Sequence, residues 1–262
     1  MSRKYNIDIK WLAVTSFEFR CGGTTVVSDP FITECAHSPL TWEDVENCNI
    51  ICLSHSHWDH ITDIPRLIPK FHPIILCGDQ TAMPLVQWLN APASTIYPMY
   101  PDMELDFGDV KIKALYGRHT KTSDKGFNDV CRDLATRDLC IADPGINALQ
   151  PIGSMEYRNF LLTLPNGTKV LLWGNDPTPE QLAICKALQP DIGIIQRSTD
   201  PEKAAQKGAF AAAIGCKVLI PHHHDFKVKD DPAIFEPMKK AFLENMPEGE
   251  FILPEHGSWI CL

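Results

Sequence analysis

SHSHWDHITD, at residues 54–63, is the most informative segment of the chain, because it holds four strong metal donors within six residues. It directly follows residues 49–53, an apolar run whose length and β-branched content are typical of a buried strand. The donors therefore lie on the turn that leaves a strand, and the segment predicts a metal site. They are His55, His57, Asp59 and His60.

The spacing of these donors favours two neighbouring ions. Alternate side chains of an extended segment share a face, so we expect His55 and His57 to converge on one ion. A turn after Trp58 would direct Asp59 and His60 toward a second ion. Imidazole and carboxylate ligands together suit Zn, Fe and Mn. The competing interpretation is a solvated loop, or histidines that cap the next helix; four donors at this spacing favour the metal site.

Composition limits the classes of partner. The chain has 262 residues, is 44% hydrophobic and carries a formal net charge of -9. This length suffices for one large domain with a sizeable core, and we expect residues 1–262 to form a single domain. Because nucleic acids and anionic membranes attract basic surfaces, the acidic balance predicts neither as a partner. A small-molecule substrate is expected instead, and the chain could act as a monomer or as a homo-oligomer.

The N-terminal residues and the cysteines favour a cytoplasmic protein. The first residues lack the apolar core of a signal peptide, and no later apolar run is long enough to span a bilayer. The ten cysteines are scattered, without a C-x-x-C pair. We interpret them as reduced thiols, several of them in apolar strands, such as Cys52 and Cys77.

The hydrophobic pattern predicts sheets covered by helices. Residues 5–31 alternate as two or three strands joined by hairpins. Residues 120–150 are polar and charged, and we expect an insertion that lies over the site as a lid or rim. The remaining predicted elements are a proline-broken helix at 61–69, a strand at 73–77, a helix at 80–89, a strand pair within 102–115, a hairpin within 159–173, a helix at 181–188, a strand at 191–196, a helix at 201–214 and a strand at 217–220.

The H-x-H-x-D-H pattern at residues 55–60 resembles the signature of the metallo-β-lactamase superfamily at every fixed position. This resemblance implies an α/β (α+β) fold, the four-layer αββα sandwich. In that fold one or two metals lie at the edge where the two sheets meet. The resemblance extends over roughly residues 7–225, and residues 55–60 are its most specific part.

The resemblance implies three further ligands. The family places its third histidine at a strand end, usually as G-H-T; this chain has G-R-H-T, so His119 matches. Its bridging aspartate follows a glycine; this chain has G-N-D, so Asp176 is the choice, with one residue interposed. The pattern I-P-x-H makes His223 the last ligand, with His222 and His224 as alternatives. The resemblance thus assigns His55, His57 and His119 to one metal, Asp59, His60 and His223 to the second, and Asp176 to the bridge.

Two more residues are placed by comparison with the family. It tends to end a strand in D-P, as at Asp29, and its aspartate supports the metal loop. Asp29 would do this by hydrogen-bonding a ligand histidine or the loop backbone, although an aspartate that merely starts a turn is an equal alternative. His256 matches no family position, and we expect it to be structural.

The resemblance implies hydrolysis with two divalent ions, Zn or Mn first and Fe as a further option. A metal-bound hydroxide would attack a carbonyl or phosphorus centre, with Asp59 and Asp176 as candidate catalytic residues. The I-P-x-H form looks like the branch that contains ascorbate-6-phosphate lactonase. Arg118 and Arg197 stand beside predicted site loops and suit phosphate or carboxylate. We therefore expect a small, anionic ester, lactone or phosphoester substrate; surface or structural roles for both arginines stay open.

Three alternatives remain. A phosphodiesterase would use the same metals, although the chain lacks an evident basic arm for nucleic acid. A thioester hydrolase resembling glyoxalase II would need a helical extension that is not obvious after residue 225. From another class, the protein would be a non-catalytic metal-binding or sensing scaffold. The histidine at position 57, where di-iron oxygen-reducing relatives have glutamate, counts against electron transfer.

Overall fold

Two seven-stranded sheets pack face to face in the computed structural model, which describes residues 4–119, 143–225 and 231–262. Sheet A contains, in spatial order, β14 (Trp259–Cys261), β1 (Asp8–Ala13), β2 (Ser16–Cys21), β3 (Thr24–Ser28), β4 (Ile50–Cys52), β5 (Ile74–Cys77) and β6 (Ile96–Pro98). Sheet B contains β13 (Glu250–Phe251), β12 (Val218–His222), β11 (Ile192–Gln196), β10 (Lys169–Trp173), β9 (Arg158–Thr163), β8 (Lys111–Tyr116) and β7 (Glu104–Asp106).

Helices cover the outer face of each sheet, which gives the αββα order that the resemblance implies. Sheet A is covered by α1 (Trp58–Ile61), α2 (Ile64–Phe71), α3 (Asp79–Leu89) and α4 (Pro144–Met155). Sheet B is covered by α5 (Pro179–Leu188), α6 (Pro201–Ala213) and α7 (Glu236–Asn245). Short 3-10 helices occur at Trp42–Asp44, Ala93–Thr95 and Pro232–Phe235.

Both faces of the central strands are buried. Ile50 and Cys52 of β4 contribute to the core between the sheets, whereas Ile51 packs with the helices outside sheet A. Side chains of a strand alternate between its faces, so a strand with helices on one side and a second sheet on the other needs apolar residues at every position. This explains why the run before the metal loop is continuously apolar.

The donor segments all leave from one edge of the sandwich. In sheet A, β3, β4 and β5 are parallel; in sheet B, β10, β11 and β12 are parallel, and β8 runs in the same direction. Strands that run in one direction end at the same edge. The metal loop follows β4, His119 follows β8, and His223 follows β12. Sheet topology therefore brings together residues that are far apart in sequence.

The described part of the predicted insertion is a helix. Residues 120–142 lie outside the described residues, and with them Cys131 and Cys140, two of the cysteines interpreted as reduced thiols. Helix α4 begins at Pro144, and the Asp143 carboxylate caps it by accepting hydrogen bonds from the amides of Gly145 and Ile146. This helix packs against the metal loop from the outer side of sheet A. Residues 143–150 thus contact the metal loop, and the lid or rim expected for residues 120–150 stays a prediction.

The C-terminal part of the chain completes both sheets. The sequence analysis assigns no element after residue 225, yet α7 packs on α6, β13 extends sheet B and β14 extends sheet A. The buried cysteines of the described residues are reduced thiols, as predicted for them: Cys21, Cys35, Cys48, Cys52, Cys77, Cys185 and Cys216. Within the same residues, no helix is both long enough and apolar enough to cross a bilayer.

Candidate metal centre

The first donor group consists of His55, His57 and His119, each of which offers one ligand atom within 4.8 Å of the others. His55 Nε2 and His57 Nδ1 lie 3.0 Å apart. Two nitrogens on one tetrahedral zinc, at about 2.0–2.1 Å each, would lie about 3.4 Å apart, so this pair needs only a small adjustment. The extended backbone before α1 and the end of β8 together place these three imidazoles around one point.

The second donor group consists of Asp59, His60 and His223, whose ligand atoms meet the same 4.8 Å limit. It adjoins the first group, since the ring centroids of His55 and His60 are 4.0 Å apart. The six residues therefore cluster in the two sets of three that the resemblance implies.

The structure selects one histidine from the triple run. His222 points away from the donors, with Nε2 3.1 Å from the carbonyl oxygen of Trp173. His224 instead stacks on Trp11, with ring centroids 4.2 Å apart. Only His223 among the three joins a donor group of the described residues.

Two serines contact the outer nitrogens of the first group. His55 Nδ1 is 2.9 Å from Ser54 Oγ, and His57 Nε2 is 2.8 Å from Ser154 Oγ at the end of α4. Such contacts fix the ring orientation and the tautomer of a metal-binding histidine. The remaining nitrogen of each ring is then the one that faces the donor group.

Asp29 supports the second group, and the hydrogen bonds expected of it are present. Its carboxylate accepts hydrogen bonds from the Ser54 amide and the Ser54 hydroxyl, both at 2.7 Å, and lies 3.0 Å from His60 Nδ1. Thr15 Oγ1 also lies 3.1 Å from this nitrogen. Asp29 thus holds the loop backbone and a donor histidine together, and leaves His60 Nε2 directed at the metal position.

Three non-glycine residues with left-handed backbone surround the centre: Val14, Asp29 and His223, with φ of 46°, 38° and 69°. This conformation costs about 1–2 kcal/mol for an L-residue, so it needs compensation. The Val14 amide donates to Asp225 Oδ1 at 2.9 Å, and its carbonyl accepts from the His223 amide at 2.9 Å. His256 contributes as a structural residue, since its Nε2 lies 2.8 Å from Asp225 Oδ2.

The electrostatics of the donors suit divalent cations. Burial and the neighbouring histidines hold the pKa of His55 well below its usual value, and burial lowers that of His223 to about 4. Burial opposes ionisation of Asp59, yet His60, His223 and His57 hold its pKa below normal. Burial likewise opposes protonation of His60, but Asp29 and Asp59 raise its pKa. His55 and His223 are thus held neutral and Asp59 ionised, which are the forms that bind metal, whereas His60 would release a proton on binding an ion; the residues present fit the expected ions.

Two glycines permit close contacts that the sequence analysis does not anticipate. A Cβ at Gly153 would lie 2.7 Å from the His57 amide nitrogen, and one at Gly174 would lie 1.6 Å from the Tyr157 hydroxyl. The Tyr157 ring packs 4.9 Å from that of His55. With Ser154, these residues fix the first donor group from α4 and sheet B. No sequence signal identifies them, because their importance arises only from contacts between distant segments.

Asp176 is in neither donor group, so its placement does not support the predicted bridging role. Its carboxylate lies 3.2 Å from Lys207 Nζ and 3.5 Å from Lys203 Nζ, and its side chain is 43% exposed. Asn175 is the buried residue at this strand end, and its amide is hydrogen-bonded to Asn159 and Gln181. The interposed asparagine occupies the inward position, and the aspartate therefore points toward α6.

Asp176→Asn is expected to leave the metal content unchanged while lowering the free energy of unfolding by about 2 kcal/mol. The reason is that Lys207, 2% exposed, loses its counter-charge, whereas no donor is removed. Elemental analysis and urea unfolding would measure the two effects. Lys203→Met is the matched control, because it removes only the exposed partner. Loss of metal in Asp176→Asn would restore the bridging assignment.

The two arginines lie next to the donor segments. Arg118 directly precedes His119 and is exposed. The Arg197 amide donates to the His222 carbonyl at 3.0 Å, and its positive charge helps burial to lower the pKa of His223. Arg197 is therefore beside the second donor group.

Comparison with known proteins agrees with this fold. A family model described as the beta-lactamase superfamily domain matches residues 24–133. A UPF0173 metal-dependent hydrolase of Geobacillus sp. (strain WCH70) is 32% identical over 39% of this chain and 45% of its own length. Another, of Methanobrevibacter smithii, is 24% identical over 87% of each chain. The Methanobrevibacter alignment is long, whereas in shorter alignments the chain spans about half the length of the curated relatives it matches.

A solved structure extends the similarity over the whole fold. Igni18, described as a metallo hydrolase from the archaeon Ignicoccus hospitalis, has a TM-score of 0.70 at 16% identity, with 97% of each chain covered. Identity this low shows the fold alone. Together with the donor pattern and the αββα layers, these similarities support the resemblance of the chain to the metallo-β-lactamase superfamily.

Proposed function

We propose that this protein is a metal-dependent hydrolase that cleaves a small, anionic ester, lactone or phosphoester. The observation that carries the proposal is the pair of adjacent donor groups at the sheet edge, His55–His57–His119 and Asp59–His60–His223. The names of the Geobacillus and Methanobrevibacter relatives, both metal-dependent hydrolases, agree with it.

The chain's residues have separate roles in this proposal. The first group would hold one ion and the second group another, Zn or Mn, with Fe compatible with the same donors. Two such ions supply a water of lowered pKa and neutralise negative charge that develops on the substrate. Asp59, whose side chain is 13% exposed and whose pKa is held below normal, would bind the ion of the second group and would orient a water beside it. Ser54, Ser154 and Asp29 keep the histidines oriented.

Charge near the second group supports an anionic substrate. Arg197 lies beside His223, and a guanidinium binds phosphate or carboxylate through a fork of donors. Arg118 stands next to His119 in the chain and would contact the substrate on the other side. The net charge of -9 supports a small-molecule enzyme over one that binds nucleic acid or anionic membranes.

The test begins with metal content and continues with substrates. Protein purified without chelator is expected to hold roughly two equivalents of Zn, Mn or Fe per chain. It would then be assayed on paired neutral and anionic esters, on lactones including sugar-phosphate lactones, on thioesters and on bis(4-nitrophenyl) phosphate. Turnover that ceases on chelation and returns with metal is the expected result. Bound metal without turnover of any member would favour the scaffold alternative, and no metal uptake would overturn the proposal.

A further inference from the structure

A cavity of about 300 Å³ lies at the donor edge of sheet B, on the face covered by helices. It is bounded by the end of β8, the end of β10 and the first turns of α5, through Tyr116, Trp173 and Ile184. Arg118 also lines it, and the next residue is His119 of the first donor group. Its volume is at the lower end of the range for small-molecule sites. The cavity is therefore close to the donor edge without including any of the donors.

The polar groups that line this cavity are already engaged by the protein. The Gln181 carboxamide accepts a hydrogen bond from the Thr178 amide at 3.0 Å and donates to the Tyr116 carbonyl at 3.3 Å. The Trp173 indole N–H donates to the Asn175 carbonyl at 2.7 Å. Burial raises the pKa of the Cys185 thiol to about 12, so this sulfur is uncharged at neutral pH. Few hydrogen-bonding groups of the wall remain for a ligand.

The charges of the lining give no preference for an anion. Arg118 is accompanied by Asp102 and Glu180, and the Asp102 carboxylate also lies 3.6 Å from Lys113 Nζ. The remaining surface is apolar or aromatic. Ile184 is 47% exposed and Tyr116 53% exposed, although both are large hydrophobic residues. Exposed apolar side chains that line one cavity are typical of ligand-binding grooves.

We propose that this cavity binds an uncharged aromatic or branched aliphatic group, and that it determines which apolar substituent the substrate carries. The inference rests on the proposed function in one respect, that the molecule bound in the cavity is a substrate. Binding in the cavity itself requires neither metal nor turnover. The anionic part of the same molecule would lie toward Arg197, and its apolar part between β8 and α5. Ile184 is then a specificity-determining residue.

The experiment is calorimetric titration of the full chain with 2-naphthol, an uncharged aromatic probe, and with naphthalene-2-sulfonate, its anionic counterpart. We expect 2-naphthol to bind more tightly than the sulfonate, and equally well before and after chelation of metal. Ile184→Trp, which fills the mouth of the cavity, should weaken 2-naphthol binding about tenfold. Met83→Trp is the matched control, because Met83 is 60% exposed on α3 over the other sheet.

The outcomes separate this inference from the proposed function. Absence of 2-naphthol binding, or equal binding by Ile184→Trp and the wild type, would overturn the cavity assignment. Binding that Ile184→Trp weakens supports it even if no ester is hydrolysed, in which case only the proposed function fails. If esters are hydrolysed, the ratio of kcat/KM for 2-naphthyl acetate to that for ethyl acetate should fall in Ile184→Trp and stay unchanged in Met83→Trp.

Discussion

His57→Ala is expected to abolish metal binding by the first donor group and to reduce any hydrolytic turnover by at least about a thousandfold. His57 Nδ1 lies 3.0 Å from His55 Nε2. Once the His57 imidazole is removed, only His55 and His119 of the first donor group remain. Loss of an outer hydrogen-bond partner alone typically weakens metal binding about 10–100-fold, so loss of a donor should have the larger effect. Elemental analysis after dialysis, together with competition against a chelating dye, measures the change.

The control for this variant is His72→Asn. His72 is an exposed histidine at the C-terminus of α2, outside both donor groups, and its φ of 51° is one that asparagine tolerates. The His72→Asn protein should retain the full metal content of the wild type. A His57→Ala protein that is folded by circular dichroism and keeps the metal affinity of the wild type would remove His57 from the ligand set.

Asp29→Ala is expected to lower the free energy of unfolding by about 3–5 kcal/mol and to weaken metal binding by the second donor group about 10–100-fold. The buried carboxylate accepts two hydrogen bonds from Ser54 and faces His60 Nδ1 at 3.0 Å. Its removal leaves these buried donors without an acceptor and frees the His60 ring to rotate. Urea unfolding of metal-free protein gives the stability change, and metal titration gives the affinity.

Asp29→Asn separates the side-chain effect from the backbone effect. Asparagine tolerates the φ of 38° at this position and keeps one acceptor oxygen for the Ser54 amide, whereas alanine adds strain of about 1–2 kcal/mol. The asparagine variant should therefore lose less stability, yet still bind metal more weakly. If Asp29→Ala unfolds at the same urea concentration as the wild type, Asp29 has only the role of a turn residue.

Local sequence patterns were sufficient for most strands and helices. The apolar run before the metal loop, the β9–β10 hairpin and the helix after Pro201 all occur close to their predicted positions. Helix α4 was missed although Asp143 and Pro144 carry a standard start signal, because a polar and charged stretch precedes it. The last helix and strands were missed because short segments near a chain end have little periodicity.

The direction of the Asp176 side chain could not be predicted by matching the sequence to the family motif. One interposed asparagine reverses which neighbour faces the sheet edge, since side chains alternate along an extended backbone. Asn175 is consequently buried in a hydrogen-bond network, and Asp176 pairs with two lysines of α6. A matching motif with an altered spacing cannot reveal this, because the decisive partners lie on a later helix.

Local patterns in the sequence predicted the sheets covered by helices and the donors of the metal loop, because strand burial and alternation are local and the loop follows a buried strand. The resemblance implied the αββα order, His119 and a ligand in the triple-histidine run. Only the tertiary structure selected His223 over its neighbours, directed Asp176 toward α6, brought Ser154 and Tyr157 to the donor histidines, and decided between the two roles left open for Asp29. These choices depend on distances between segments that are remote in the chain. Packing of α4 and of the two sheets sets those distances, and no local pattern encodes them.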